Sequence, residues 1–79
     1  FYAWLARAPV AWRPVGVTHG AAQLAAMPRF VAINSVIEVD LLGQANAEAT
    51  SGRQTGGQGG LVDFARGALA SEGGRSIIA

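Results

Sequence analysis

Five of the nine residues from Gly52 to Gly60 are glycine, and Gly56-Gly57-Gln58-Gly59-Gly60 leads directly into an apolar-periodic stretch. Glycines let consecutive backbone N–H groups converge on one point, and a helix N-terminus behind such a nest adds partial positive charge. The pair of features suits an anion: a phosphate, a carboxylate or an oxyanion developing during a reaction. Two nucleotide-binding readings fail. A P-loop ends its glycine run with Lys and then Ser or Thr, whereas Gly60 is followed by Leu61 and Val62. A dinucleotide fingerprint needs a third glycine where Gly57-Gln58-Gly59 meets Val62. A tightly packed or flexible turn without a ligand stays open as the plain alternative.

His19 is the single histidine, and beside Thr18 it can serve as a general base or as a helix-capping side chain. Asn34 and Ser35 interrupt an apolar strand abruptly. A buried amide must be hydrogen-bonded, so Asn34 either ties neighbouring backbone together or lines a site at a strand end, where α/β folds place ligands. Glu38, Asp40, Glu48 and Asp63 lack a histidine or cysteine at ligand spacing and read as solvated. No metal site is visible, and no Ser or Cys sits in a nucleophile-elbow context.

The elements that must position these residues follow from periodicity. Residues 1 to 8 read as the last turns of a helix stopped by Pro9, and Val10 to Val17 as a short edge or bulged strand containing Pro14. Thr18 is the expected N-cap of a helix carrying Ala21, Leu24 and Ala25 before Pro28. Phe30 to Ile33 reads as a fully buried strand, and Ile37, Val39 and Leu41, alternating with Glu38 and Asp40, as a half-buried one. A hairpin turning at Leu42 to Gln44 joins it to the weaker alternation from Ala45 to Ala49. The Gly-rich loop then enters an amphipathic helix with Leu61, Phe64, Ala65, Ala68 and Leu69 on one face, ended by Gly73-Gly74. Ser76 to Ala79 begins another buried strand. The order is an α/β pattern without internal repeat.

Composition bounds what such a chain can be. Apolar residues make up 51% of 79 and charged ones 14%, which suits a slab of a larger core better than a self-sufficient small domain without cysteines. Both ends read as cut from something longer, and marginal stability is expected if the chain is made alone. Six arginines and five acids are spread evenly at net charge +1, so nucleic acid is not an expected partner. No apolar run approaches the roughly 20 residues that span a bilayer, which speaks against a membrane protein.

Read together, Phe30 to Gln44, Ala45-Asn46-Ala47-Glu48, Gly52-Arg53-Gln54, Gly57 to Phe64, Arg66-Gly67-Ala68 and Ser71 to Ala79 resemble, in order and without a gap, the acetyl-CoA hydrolase/transferase family of class I coenzyme A transferases. The resemblance implies a partial C-terminal domain of the open-sheet, NagB/RpiA/CoA transferase-like kind, in a protein of two similar domains with the active site between them. It implies CoA transfer between an acyl-CoA and a small carboxylic acid through a glutamyl-CoA thioester. The alternatives are hydrolysis of the thioester or a catalytically dead, binding-only homologue. Gly59 and Gly60 match the pair whose amides hold the oxyanion. The nucleophilic glutamate belongs to a motif that would precede Phe1, and Glu38, Glu48 and Glu72 do not match it, so the chain alone is expected to be inactive. His19 stands where some members carry a pocket asparagine, with Gly20 in place of an acid, and together with Asn34 it is a substrate-binding candidate. The resemblance further implies no permanently bound cofactor, acyl-CoA and the rest of the parent chain as partners, a homodimer among the allowed assemblies, and a cytoplasmic setting.

Overall fold

A computed structural model describes residues 1–79. Three short helices come first: α1 (Tyr2–Leu5), α2 (Val15–Thr18) and α3 (Ala21–Ala25). Then follow β1 (Val31–Asn34), β2 (Glu38–Val39), β3 (Ala45–Asn46), β4 (Ala49–Thr50) and β5 (Arg53–Gln54), and finally α4 (Leu61–Ala70) and β6 (Arg75–Ile78). Strands β1 and β6 pair in parallel, Val31 opposite Arg75 through Asn34 opposite Ile78. Strands β2 with β3 and β4 with β5 form two antiparallel hairpins. The chain is a mixed α/β unit with small open sheets.

The core lies where α3 and α4 meet the inner face of the β1–β6 pair, and Leu24, Ala32 and Ala68 are its buried apolar residues. Gly67 lets the two helices close: a Cβ there would lie 2.5 Å from the Leu24 Cβ. Ser71 staples the far end of α4 to the strand. Its hydroxyl donates to the Met27 carbonyl at 2.6 Å and accepts the Phe30 N–H at 3.1 Å.

Helix α4 spans the residues expected, and of the expected stripe Ala68 is buried and Leu61, Phe64 and Ala65 are half-buried, but Leu69 is not. Gly67 and Ala68 are buried, whereas Leu69 is 88% exposed. The expected strand over Val10 to Val17 does not form. Pro14 instead opens a helical turn, its carbonyl accepting the Val17 and Thr18 N–H groups, so the proline acts at a helix start, where a missing donor costs nothing. Thr18 accordingly ends α2 rather than capping α3, whose N-cap is Gly20 without a side-chain bond. Strands β1 and β6 are in place but are not fully buried: of β1 only Ala32 is, Ile33 is 68% exposed, and all of β6 is exposed.

The β2–β3 hairpin turns as expected around Leu42 to Gln44. A second one, β4–β5, lies at the start of the stretch read as loop. Ser51 (φ 50°) and Gly52 (φ 75°) carry its turn with positive φ at both central positions, the backbone of a type I′ turn. With five residues buried of 79 and a radius of gyration of 15.2 Å against about 12 Å for a compact chain of this length, the unit does not close a core of its own.

Candidate functional site

The Gly-rich loop is held at both ends. At its start the Glu48 carbonyl accepts the Thr55 N–H at 2.7 Å, the Gly56 N–H at 3.1 Å and the Thr55 hydroxyl at 3.1 Å. At its end Gly60 is the N-cap of α4, whose first turn carries Asp63 but no side-chain cap. No backbone or side-chain acceptor takes the N–H of Gly59 or Gly60. Two adjacent free donors at the start of a ten-residue helix are the arrangement that attracts negative charge.

His19 reaches this loop from α2. An added Cβ on Gly60 would lie 2.7 Å from His19 Nε2, 2.8 Å from His19 Cδ2 and 2.8 Å from Phe64 Cε2, so the imidazole and the Phe64 ring close over the Gly60 Cα. The two rings pack at 4.5 Å between centroids, and Phe30 continues the cluster 6.2 Å from Phe64. His19 Nδ1 lies 2.8 Å from the Thr18 hydroxyl, which also reaches the Val15 carbonyl at 3.3 Å. His19 thus caps no helix with its side chain. It and Gly60, 41 positions apart, form one cluster.

Asn34 sits at the end of β1, and its Nδ2 is buried without a hydrogen-bond partner. It lines a groove of about 240 Å³ with Phe30, Val31, Ala32, Ile33 and Phe64. Phe64 therefore borders both Asn34 and the His19–Gly60 contact. Sequence reasoning placed Phe64 in the helix stripe and missed this role. The available signal was its position one turn after Gly60, since helical side chains lean back toward the N-terminus.

A larger open depression of about 350 Å³ lies on the first hairpin, lined by Glu38, Asp40, Gln44, Ala45 and Asn46. Its polar groups are used within the turn. The Asp40 carboxylate accepts the Leu42 and Gln44 N–H groups at 2.9 and 2.8 Å and the Gln44 side-chain amide at 2.7 Å. These bonds, that of the Gln44 backbone foremost, hold the Asp40 carboxyl below its ordinary value. Asn46 accepts the Glu48 and Ala49 N–H groups and donates to the Ala49 carbonyl and to Glu38. No three His, Cys, Asp or Glu side chains gather where they could hold a metal ion, and no helix is long and apolar enough to cross a membrane.

Comparison with known proteins bears on what this arrangement serves. Residues 1–79 match the acetyl-CoA hydrolase/transferase C-terminal domain. The chain is 40% identical over 65 residues, 82% of its length, to a butyryl-CoA:acetate CoA-transferase from Anaerostipes caccae, of which it covers 15%. It is 53% identical over 49 residues, 62% of its length, to a 4-hydroxybutyrate coenzyme A transferase from Clostridium kluyveri, of which it covers 11%. Its fold is similar to the crystal structure of RipA from Yersinia pestis, with a TM-score of 0.74 and 44% identity over 84% of this chain and 15% of that one. The chain thus spans between a tenth and a sixth of the length of these relatives.

Proposed function

Because this chain belongs to the acetyl-CoA hydrolase/transferase family, as part of its C-terminal domain, we propose that it builds the oxyanion side of an acyl-CoA site in a coenzyme A transferase. The parent protein moves CoA between an acyl-CoA and a small carboxylic acid through a glutamyl-CoA thioester. Its nucleophilic glutamate comes from outside these 79 residues. The Gly59 and Gly60 amides donate to the oxygen on which charge develops, and such donors act mainly in the transition state. His19 and the buried Asn34 Nδ2 line the acyl and carboxylate pocket beside them, within a domain of the open-sheet CoA-transferase kind.

The observation that carries this reading is the pair of unpartnered Gly59 and Gly60 N–H groups at the start of α4, with the His19 and Phe64 rings closing over Gly60. The test incubates the parent protein with butyryl-CoA and acetate and follows acetyl-CoA. Acetyl-CoA formation that needs both substrates is expected. Release of free CoA alone would make the protein a hydrolase, and binding without turnover would make it a non-catalytic homologue; either result overturns the transfer reading.

A further inference from the structure

The groove along β1 shares a wall with the Gly59-Gly60 site. Ser71 ties the end of α4 to the start of β1, so the helix runs back along the strand and its first turn lies toward Asn34, at the strand's C-terminal end. Ligands of open α/β sheets bind outside the carboxyl ends of the strands. Phe64 bounds both features there: its Cε2 lies 2.8 Å from the position of a Cβ on Gly60, and it walls the groove together with Phe30, Val31, Ala32, Ile33 and Asn34. Five of these six residues are apolar and none carries a charge; Asn34 is a neutral amide with its Nδ2 buried. The volume of about 240 Å³ falls below the roughly 300–1,000 Å³ of pockets that enclose a whole drug-sized ligand. It has room for an acyl chain and not for the nucleotide end of CoA.

Resting on the assignment of Gly60 as an oxyanion donor, we propose that this groove holds the acyl chain of the thioester. It selects neutral aliphatic chains of four or more carbons over acetyl and over chains that end in a carboxylate, and Phe64 is the residue that sets the selection. A thioester carbonyl on the Gly60 amide leaves its chain beside the Phe64 ring. Each methylene that then passes from water to the apolar walls strengthens binding by about fourfold. A chain ending in a carboxylate brings an ion among walls that hold no cation to pair it, which burial penalises heavily.

The experiment gives the parent protein acetyl-, butyryl- or succinyl-CoA with propionate as acceptor, reading propionyl-CoA. Binding of S-ethyl- and S-butyl-CoA, thioethers that cannot react, is measured by calorimetry alongside. From acetyl- to butyryl-CoA kcat/KM should rise roughly fifteenfold, two methylenes at about fourfold each, and S-butyl-CoA should bind tighter than S-ethyl-CoA by the same factor. Succinyl-CoA, of like length, should fall about tenfold or more below butyryl-CoA. Phe64→Leu, which keeps an apolar residue but removes the ring, should shrink the butyryl-to-acetyl ratio, whereas Leu69→Ala, on an exposed position of the same helix, should leave it unchanged. A wild-type ratio within about threefold, far from that expected, means that another part of the parent chain fills the groove and overturns the proposal. Succinyl-CoA used as well as butyryl-CoA overturns it too, and an unchanged ratio in Phe64→Leu overturns the role of the ring. Chain-length preference in binding with no propionyl-CoA formed from any thioester overturns the transfer reading and supports this one.

Discussion

A methyl group added at Gly59 and one added at Gly60 probe two different demands on the same loop. Gly60 has φ −88°, open to any L-residue, so Gly60→Ala has no backbone penalty. Its Cβ, however, would lie 2.7 to 2.8 Å from two His19 ring atoms and from Phe64 Cε2, where ordinary contacts lie at about 3.5–4.0 Å. Overpacking of this kind costs about 1–3 kcal/mol, and the lower end is expected because His19 sits on a half-exposed segment that can yield. Gly59 is the reverse case. Nothing lies within 4 Å of its Cβ position, but its φ is +57°, and a left-handed L-residue costs roughly 1–2 kcal/mol.

Urea unfolding of the parent protein and steady-state CoA transfer separate these effects. Removing the ring with His19→Ala should recover part of the stability lost in Gly60→Ala, the Phe64 contact remaining, while Gly59→Ala should be indifferent to that change. Gly59→Asn should be milder than Gly59→Ala, since asparagine enters the left-handed region more readily. Gly56→Ala, with nothing within 4 Å and no positive φ, should stay within about 0.5 kcal/mol of wild type. If the amides are oxyanion donors, kcat in Gly59→Ala should fall more than KM changes, because the strained backbone displaces an N–H that alanine keeps. Gly60→Ala equally unstable with and without the His19 ring would refute the contact, and Gly59→Asn as damaging as Gly59→Ala would refute the backbone argument.

Three further outcomes are expected. Ser71→Ala should cost about 1–3 kcal/mol in urea unfolding, because it leaves the Phe30 N–H and the Met27 carbonyl without their partner. Asp40 has a lowered carboxyl value in the fold, so its support of the turn should be complete above the unfolded value of about 3.9 and lost as pH falls through the lower native value. The Gln44 amide shift should report that loss by NMR and should not titrate in Asp40→Asn. The 79-residue chain made alone should neither form succinyl-CoA from acetyl-CoA and succinate nor release CoA above background, and should unfold without a cooperative transition; protein-dependent turnover would show that it carries its own nucleophile.

What the sequence revealed follows the range of the interactions involved. Helix α4 and the β2–β3 turn are set by residues a few positions apart, and both were legible. The β4–β5 hairpin was equally local, announced by Ser51-Gly52, but was lost in the glycine-rich composition around it. Pro14 within Val10 to Val17 fits an edge or bulged strand on the sequence, but its fixed φ and missing N–H equally suit the helix start it takes. Burial was legible only in part: Leu24, Ala32 and Ala68 lie on the expected apolar faces and are buried, whereas Ile33 and Leu69 have the residue type of a core and are exposed. Nor could spacing show that His19 meets Gly60, because that contact depends on how α2 and α3 lie against α4.

That dependence makes α4 the element through which the fold sets the site. Its C-terminal half is fixed by close contacts: Gly67 against Leu24, Ser71 bonded to Met27 and Phe30, and Gly74 so near the Ala68 carbonyl that a side chain there would collide with backbone. Its N-terminal end carries Gly60 and Phe64, about one turn apart. A helix is stiff over ten residues, so a shift at the Leu24 contact moves the Gly60 amide and the Phe64 ring together. His19 meets them from the short segment between α2 and α3. The contact between His19 and Gly60 thus sits on a helix held by packing at its opposite end, and substitutions that loosen that packing at Gly67 or Ser71 should disturb the site without touching a single group in it.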